Sequence, residues 1–387
     1  MLLGLVGFAV PVPTRAAAAS VDVYPKVTYA FGKQIRFEAR FQPQGAVREA
    51  VVFYRIDMAS GETYHGQMTM QDAETAFFIH DLQKAPIPPF IEVLYWFHLT
   101  LKDGSVYTTP SFTFRMEDDR FQWRSITTPA FEVYWYQGDV AFAQRILDAA
   151  TQGAIRARDA WQAPSPQGVH IYVYADAKVL QETLGTQNWA AGHALPSSGV
   201  VYVALADTPH QTSEIPRLVP HELAHYLLYQ MTGQFGYQNI PMWLNEGLAS
   251  NTELLPNPDY EIALREAIAQ DQLIPIPHLC QQFPSDASGA LLAYAEATSF
   301  TQYLLHRYGR SAIHNLIAAY AEGLDCNAGA QSILGQPLDR LEQAWLAETF
   351  HIGRWTQAIQ RLQPWLLLLA VILLSLAAGA WLVSSRS

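Results

Sequence analysis

The chain has 387 residues, half of them hydrophobic and only 15% charged, with a formal net charge of −11. That length suits two folded domains of roughly 150 residues each plus accessory segments. The acidic balance, with no Lys/Arg cluster, lacks the electrostatic footprint of a nucleic-acid-binding protein.

The first element is an apolar run from Met1 to Val10, followed by Pro11, Pro13, Arg15 and a row of alanines up to Ser20. Residues 1–20 read as a secretory signal with cleavage near Ala19, although the usual Lys/Arg-rich start is missing. From 21 to 118 the chain reads as short strands. They are Val27–Phe31, Ile35–Phe41, Val51–Ile56, Ala76–Ile79, Ile91–Thr100 and Phe112–Phe114, separated by turn signals such as Ser60-Gly61 and Asp103-Gly104. Ile35–Phe41 alternates apolar with charged residues, as a half-buried strand does. This pattern predicts an all-β, immunoglobulin-like sandwich. Its histidines His65, His80 and His98 are isolated and read as surface or core residues.

The polar run Glu117-Asp118-Asp119-Arg120 marks a boundary, and a second domain is expected over 125–355. Phe131–Tyr136, Val169–Tyr174 and Gly199–Ala204 read as strands, and Val140–Trp161 has helical periodicity. Helices dominate from Pro216 to about Arg361. The expected class is α+β, a small sheet followed by helices. Cys280 and Cys326 are too far apart to read as a metal-binding pair. They form one disulfide if the domain is exported, or stay two buried thiols. Finally, Trp365 to Val383 is unbroken by charge, with Trp365 and Trp381 near its ends. Residues 364–383 are expected to cross a bilayer once. Arg354 and Arg361 before the span and Arg386 after it leave the positive-inside count undecided. The signal-like start places the body outside the membrane.

The chemistry lies in His221-Glu222-Leu223-Ala224-His225. The helix that carries it is expected to begin near Pro216 and Pro220, because proline is tolerated in a first turn. Histidines four apart share one helix face and converge on a single ion, with Glu222 at the edge to take a proton from the attacking water. Catalytic zinc needs a third protein ligand. Glu246, in Trp243-Leu244-Asn245-Glu246-Gly247, lies beyond Gly233, Gly236, Asn239 and Pro241, which let the chain turn back.

These two segments together resemble the gluzincin zinc metallopeptidases, especially bacterial peptidase MA-like domain proteins, from about residue 130 to 350. The segment Tyr294–Phe300, with Tyr303-Leu304 and Tyr308-Gly309, is similar to that family's following helix. The resemblance implies a zincin-like catalytic domain with one zinc on His221, His225 and Glu246, Glu222 as general base and a peptide or protein as substrate. It also implies an edge strand ahead of the zinc helix that pairs with the substrate backbone, here assigned to Val200–Val203, while His193 reads as structural. Thermolysin-like members carry an acidic residue four places after the ligand glutamate. This chain has Ser250 there, and Glu253 is the candidate substitute. Tyr294 is the candidate donor to the oxyanion, ahead of Tyr303 and His306. The whole reads as a membrane-anchored zinc peptidase. The alternatives are a non-catalytic surface adhesion or binding protein with a structural or vestigial zinc site, and a zinc hydrolase of non-peptide amides.

Overall fold

The computed structural model describes residues 21–56, 62–185 and 192–352, with a few positions between 362 and 372. The signal-like segment and most of the apolar 364–383 stretch lie outside the described residues. Among those described, no helix is long and apolar enough to cross a membrane. Two compact units are present, one of residues 1–122 with 181–188, the other of 123–180 with 189–387.

The first unit contains β1 (Asp22–Ala30), β2 (Gln34–Gln42), β3 (Val47–Arg55), β4 (Tyr64–Gln67), β5 (Thr69–Met70), β6 (Thr75–Asp81), β7 (Glu92–Leu101), β8 (Val106–Thr108) and β9 (Phe112–Arg115). They form two antiparallel sheets, β1-β2-β6-β5 and β4-β3-β7-β8, with β9 also on β7. This is the strand order of an immunoglobulin-type sandwich. Alternation drives it: Val52 and Tyr54 of β3 and Tyr95 and Phe97 of β7 point inward, and Phe37 of β2 stacks on Tyr54 across the gap at 5.2 Å. His80 is a satisfied core residue, bonded to the Tyr54 hydroxyl at 2.8 Å and to the Ala85 carbonyl at 2.7 Å. His98 pairs with Thr108, and His65 is exposed.

The second unit opens with β10 (Arg124–Thr127) and β11 (Phe131–Trp135), then α1 (Val140–Trp161) and β12 (Val169–Tyr174). Next come α2 (Ala177–Leu184), of which only residues up to Leu180 belong to this unit, β13 (Gly192–Leu195), β14 (Val200–Ala204) and the short α3 (Pro209–Thr212). The sheet order is β10-β11-β12-β14-β13, with β13 antiparallel on the outer edge. The structure corrects the expected substrate-pairing strand: Val200–Val203 is interior, paired on both sides, and among the described residues the edge strand is β13. The helical part follows as α4 (Ile215–Asn239), α5 (Met242–Thr252), α6 (Pro258–Gln270), α7 (Ala287–Ala321), α8 (Cys326–Leu334) and α9 (Leu338–Phe350). One apolar core joins the helix-facing side of the sheet to α1, α4, α5 and α7. Cys280 and Cys326 form a disulfide. It closes a separation of 46 residues, which by loop entropy contributes about 4 kcal/mol.

One buried acid in this unit takes no part in the expected chemistry. Glu296 on α7 is fully buried; its Oε1 accepts from the Ile274 amide at 2.8 Å, while Oε2 has no partner. Burial pushes its carboxyl up from 4.5 to about 8, against the Ile274 amide and with help from Glu342. Burial likewise lifts Glu342 to about 7. A carboxyl raised on folding binds its proton more tightly in the native state. Its contribution to stability is full below the unfolded value near 4.5 and is lost as pH rises through the folded value near 8. Glu296→Gln keeps the Ile274 contact without the charge. Urea denaturation from pH 5 to pH 9 should therefore show the variant gaining on the wild type by about 1–3 kcal/mol. Parallel profiles would disprove the assignment.

Candidate metal centre

The site is built on α4 and α5. Helix α4 starts at Ile215 with Pro216 in its first turn, and Pro220 lies inside the helix. Proline has no N–H, so the Pro216 carbonyl has no partner one turn along. The Leu254 amide takes that place at 2.8 Å. The proline that seemed to require a helix start thus ties the beginning of α4 to the end of α5. A break at Gly233 and the extended Ile240-Pro241 link turn the chain back. Gly247 then lets α5 lie directly on α7, since a Cβ there would strike the Thr301 side chain and the Ala297 carbonyl. Asn251 reinforces the contact by donating to the Thr298 carbonyl at 2.9 Å.

The two helices bring His221, His225 and Glu246 together, one ligand atom from each lying within 4.8 Å of the others. Glu246 Oε2 stands 3.4 Å from His221 Nε2 and 3.7 Å from His225 Nε2, with the three side chains 12–13% exposed. Donor atoms held about 2.0–2.1 Å from a tetrahedral zinc stand about 3.4 Å apart, so the trio has suitable spacing. Oε2 is buried and makes no hydrogen bond, so a lone pair is left facing the two imidazole nitrogens. On this geometry the residues fit a zinc ion.

The imidazoles are fixed from behind. His221 Nδ1 donates to Glu253 Oε1 at 3.0 Å, and His225 Nδ1 to Asn245 Oδ1 at 2.8 Å. With Nδ1 carrying the proton, each Nε2 offers its lone pair to the centre. Glu253 Oε2 also faces Arg217 Nε at 3.9 Å. Ser250, at the position of the absent acid, is buried near Tyr260 and does not reach a histidine. Asn245 escaped the sequence reading although it adjoins Glu246; an amide next to a ligand was the available signal.

Glu222 is buried beside the trio. Burial pushes its carboxyl up, opposed by the two imidazoles and aided by Glu246 and Glu253. For Glu246, burial works upward, but His225 and His221 hold it below the ordinary carboxylate range. At His221 burial disfavours the charge, yet Glu246 and Glu253 prevail and raise it to about 10. The cluster carries surplus negative charge that stabilises a cation at its centre. β13 crosses Glu222 so closely that a Cβ on Gly192 would overlap the carboxyl group. Tyr294 on α7 directs its hydroxyl at Glu246, its ring 6.3 Å from that of His221. Burial, with the charges of Glu246 and Glu222, raises its phenol, so it stays a donor. Tyr303 instead faces Glu348 and Arg307, and His306 is exposed. Burial and the neighbouring His225 push the imidazole of His193, on the edge strand, below the ordinary histidine value.

The family model of the Peptidase MA superfamily matches residues 149–350. That is just over half of the chain, and the chain belongs to this superfamily. No curated protein matches it. Among solved structures it is similar to a cycloalternan-degrading enzyme from Trueperella pyogenes (12% identity, TM-score 0.19, 28% of this chain and 16% of that one). It is also similar to a polysaccharide deacetylase from Bacillus cereus (7%, 0.21, 43% and 56%). A mutant M1 zinc metallopeptidase from Deinococcus radiodurans gives 12%, 0.40, 84% and 92%. The chain thus spans about a sixth and about half of the first two proteins. At TM-scores of 0.40 and below, these likenesses establish neither fold nor activity for this chain.

Two substitutions probe the centre. Glu253→Ala should weaken zinc binding about 10–100-fold by releasing His221, read by competition with a chromogenic chelator. Unchanged affinity would exclude a supporting role for Glu253. Gly192→Ala should leave zinc binding within about threefold while lowering kcat at least about tenfold, because Glu222 must yield to the added methyl. An unaffected kcat would mean that Glu222 does not work from its observed position.

Proposed function

We propose that the protein is a zinc-dependent peptidase in which His221, His225 and Glu246 hold the metal. The observation that carries this reading is the trio itself: one imidazole is locked by Asn245 of α5 and the other by Glu253 just past its end, Glu246 has a free lone pair at the centre, and Glu222 stands alongside. Zinc, when bound, supplies Lewis-acid polarisation of the scissile carbonyl and of the attacking water. Glu222 accepts the proton of that water and delivers it to the departing amine. Its place beside the metal-facing trio suits both steps, because one carboxylate then lies within reach of the water and of the leaving nitrogen. Tyr294 donates from α7 to the oxyanion that develops on the carbonyl, exchanging its contact with Glu246 for one with substrate. The free edge of β13 pairs with the extended peptide backbone, and Gly192 lets that strand run close to the base.

The disulfide favours an oxidising compartment. The apolar 364–383 stretch supports a single membrane anchor, with the catalytic unit on the extracytoplasmic face. An intact Glu222 favours an enzyme over an adhesion protein with a structural zinc, which has no use for a base.

Glu222→Gln preserves size and should keep one zinc per chain by elemental analysis, while kcat on a broad peptide library falls at least about a thousandfold. A wild-type protein that holds zinc but cleaves no peptide, including cell-envelope peptides, would overturn the reading.

A further inference from the structure

Asn245 has a role beyond its hold on His225. It also forms part of the wall of a cavity of about 770 Å³. The wall continues through Tyr237–Ile240 at the end of α4, Pro241-Met242 at the start of α5, the Cys280–Cys326 bridge and the Gly323–Asn327 segment at the start of α8. The cavity therefore begins one side chain away from a metal ligand.

Its chemistry is one-sided. Amide side chains dominate the polar lining: Gln238, Asn239, Asn245, Gln281 and Asn327. No lysine, arginine or histidine is among the lining residues, and Asp325 is the one charged group there. Asp325 Oδ1 accepts from the Asn327 and Ala328 amides as the cap of α8. The helix dipole offsets part of its charge, so a net but moderate negative potential faces the cavity. Tyr237 adds a donor. Its oxygen accepts from Asn245 Nδ2 at 3.2 Å, so the phenolic proton remains available to donate. The wall is also braced: the Met242 amide donates to the Cys280 carbonyl at 2.9 Å, and Trp243 Nε1 to Cys326 Sγ at 3.3 Å.

We propose that this cavity receives a side chain of the peptide substrate near the scissile bond, and that it selects basic or uncharged polar side chains over acidic ones. The proposal rests on the peptidase reading and deepens it. Tyr237 and the amides bind carbonyl and side-chain groups, while Asp325 attracts a positive end and repels a carboxylate.

The test uses short peptides carrying Lys, Gln or Glu at successive positions. Binding to the zinc-loaded Glu222→Gln chain is measured by calorimetry, and cleavage is measured with the wild type. At one position Lys should bind about three- to tenfold more tightly than Glu, with Gln between them, and the preference should shrink as salt is raised. Asp325→Asn, which still caps α8, should bring the Lys-to-Glu ratio close to one. Tyr237→Phe should weaken all three peptides together. Equal binding at every position, no binding at all, or a preference that Asp325→Asn leaves intact overturns the cavity assignment. Cleavage without charge discrimination defeats this inference alone, whereas charge-selective binding without any cleavage by the wild type defeats the peptidase reading.

Discussion

His221 and His225 are gripped from behind by side chains of one stretch of chain, Asn245 near the beginning of α5 and Glu253 just past its end. The grip holds only if α5 runs along α4 at a fixed height, and much of the second unit serves that requirement. The Pro216 carbonyl, left free by Pro220, fixes one end through Leu254. The Met242 amide on the Cys280 carbonyl fixes the other. Gly247 removes the side chain that would keep α5 off α7, and α7 brings Tyr294 within reach. Backbone hydrogen bonds thus set the metal spacing, and the side chains inherit it.

The electrostatics follow from the same geometry. Glu222, Glu246 and Glu253 surround two imidazoles in a buried setting, and a buried charge without a partner is costly. Against its burial, Glu246 and Glu253 favour a positive charge on His221. A divalent cation answers the same excess with more charge and frees both Nε2 lone pairs. His80 of the first unit shows the contrast, its ring nitrogens meeting a tyrosine hydroxyl and a backbone carbonyl.

Much of this was legible in the sequence because it is periodic or adjacent. α1 spans the residues that its helical spacing predicts, and β12 the predicted run Val169–Tyr174. His221 and His225 share a face because they are four apart, and Glu246 follows from the need for a third ligand. Less legible were features set by tertiary contact. β4, β5 and β8 are too short or too polar to show alternation. Strand order decides that β13, not Val200–Val203, lies on the edge, and no local pattern encodes that order. The unusual Pro220 read as a helix start because its value lies in a bond made by a residue 34 positions later, the Leu254 amide donating to the Pro216 carbonyl that Pro220 leaves free. Glu253 lies two helical turns from Glu246, a spacing that returns to the same face, so it could be named as a candidate but not placed.

Gly192 makes one residue an indicator of competence. The contact that its missing side chain permits is with the very group that would move protons, while the three metal-facing side chains are untouched by it. In related chains that keep both histidines and the two glutamates, a larger residue at the corresponding position would mark a protein able to hold metal but hindered in using it. Loss of activity in such a lineage could therefore begin outside the recognisable motif. A survey that counted only the histidines and glutamates would still score that lineage as enzymes.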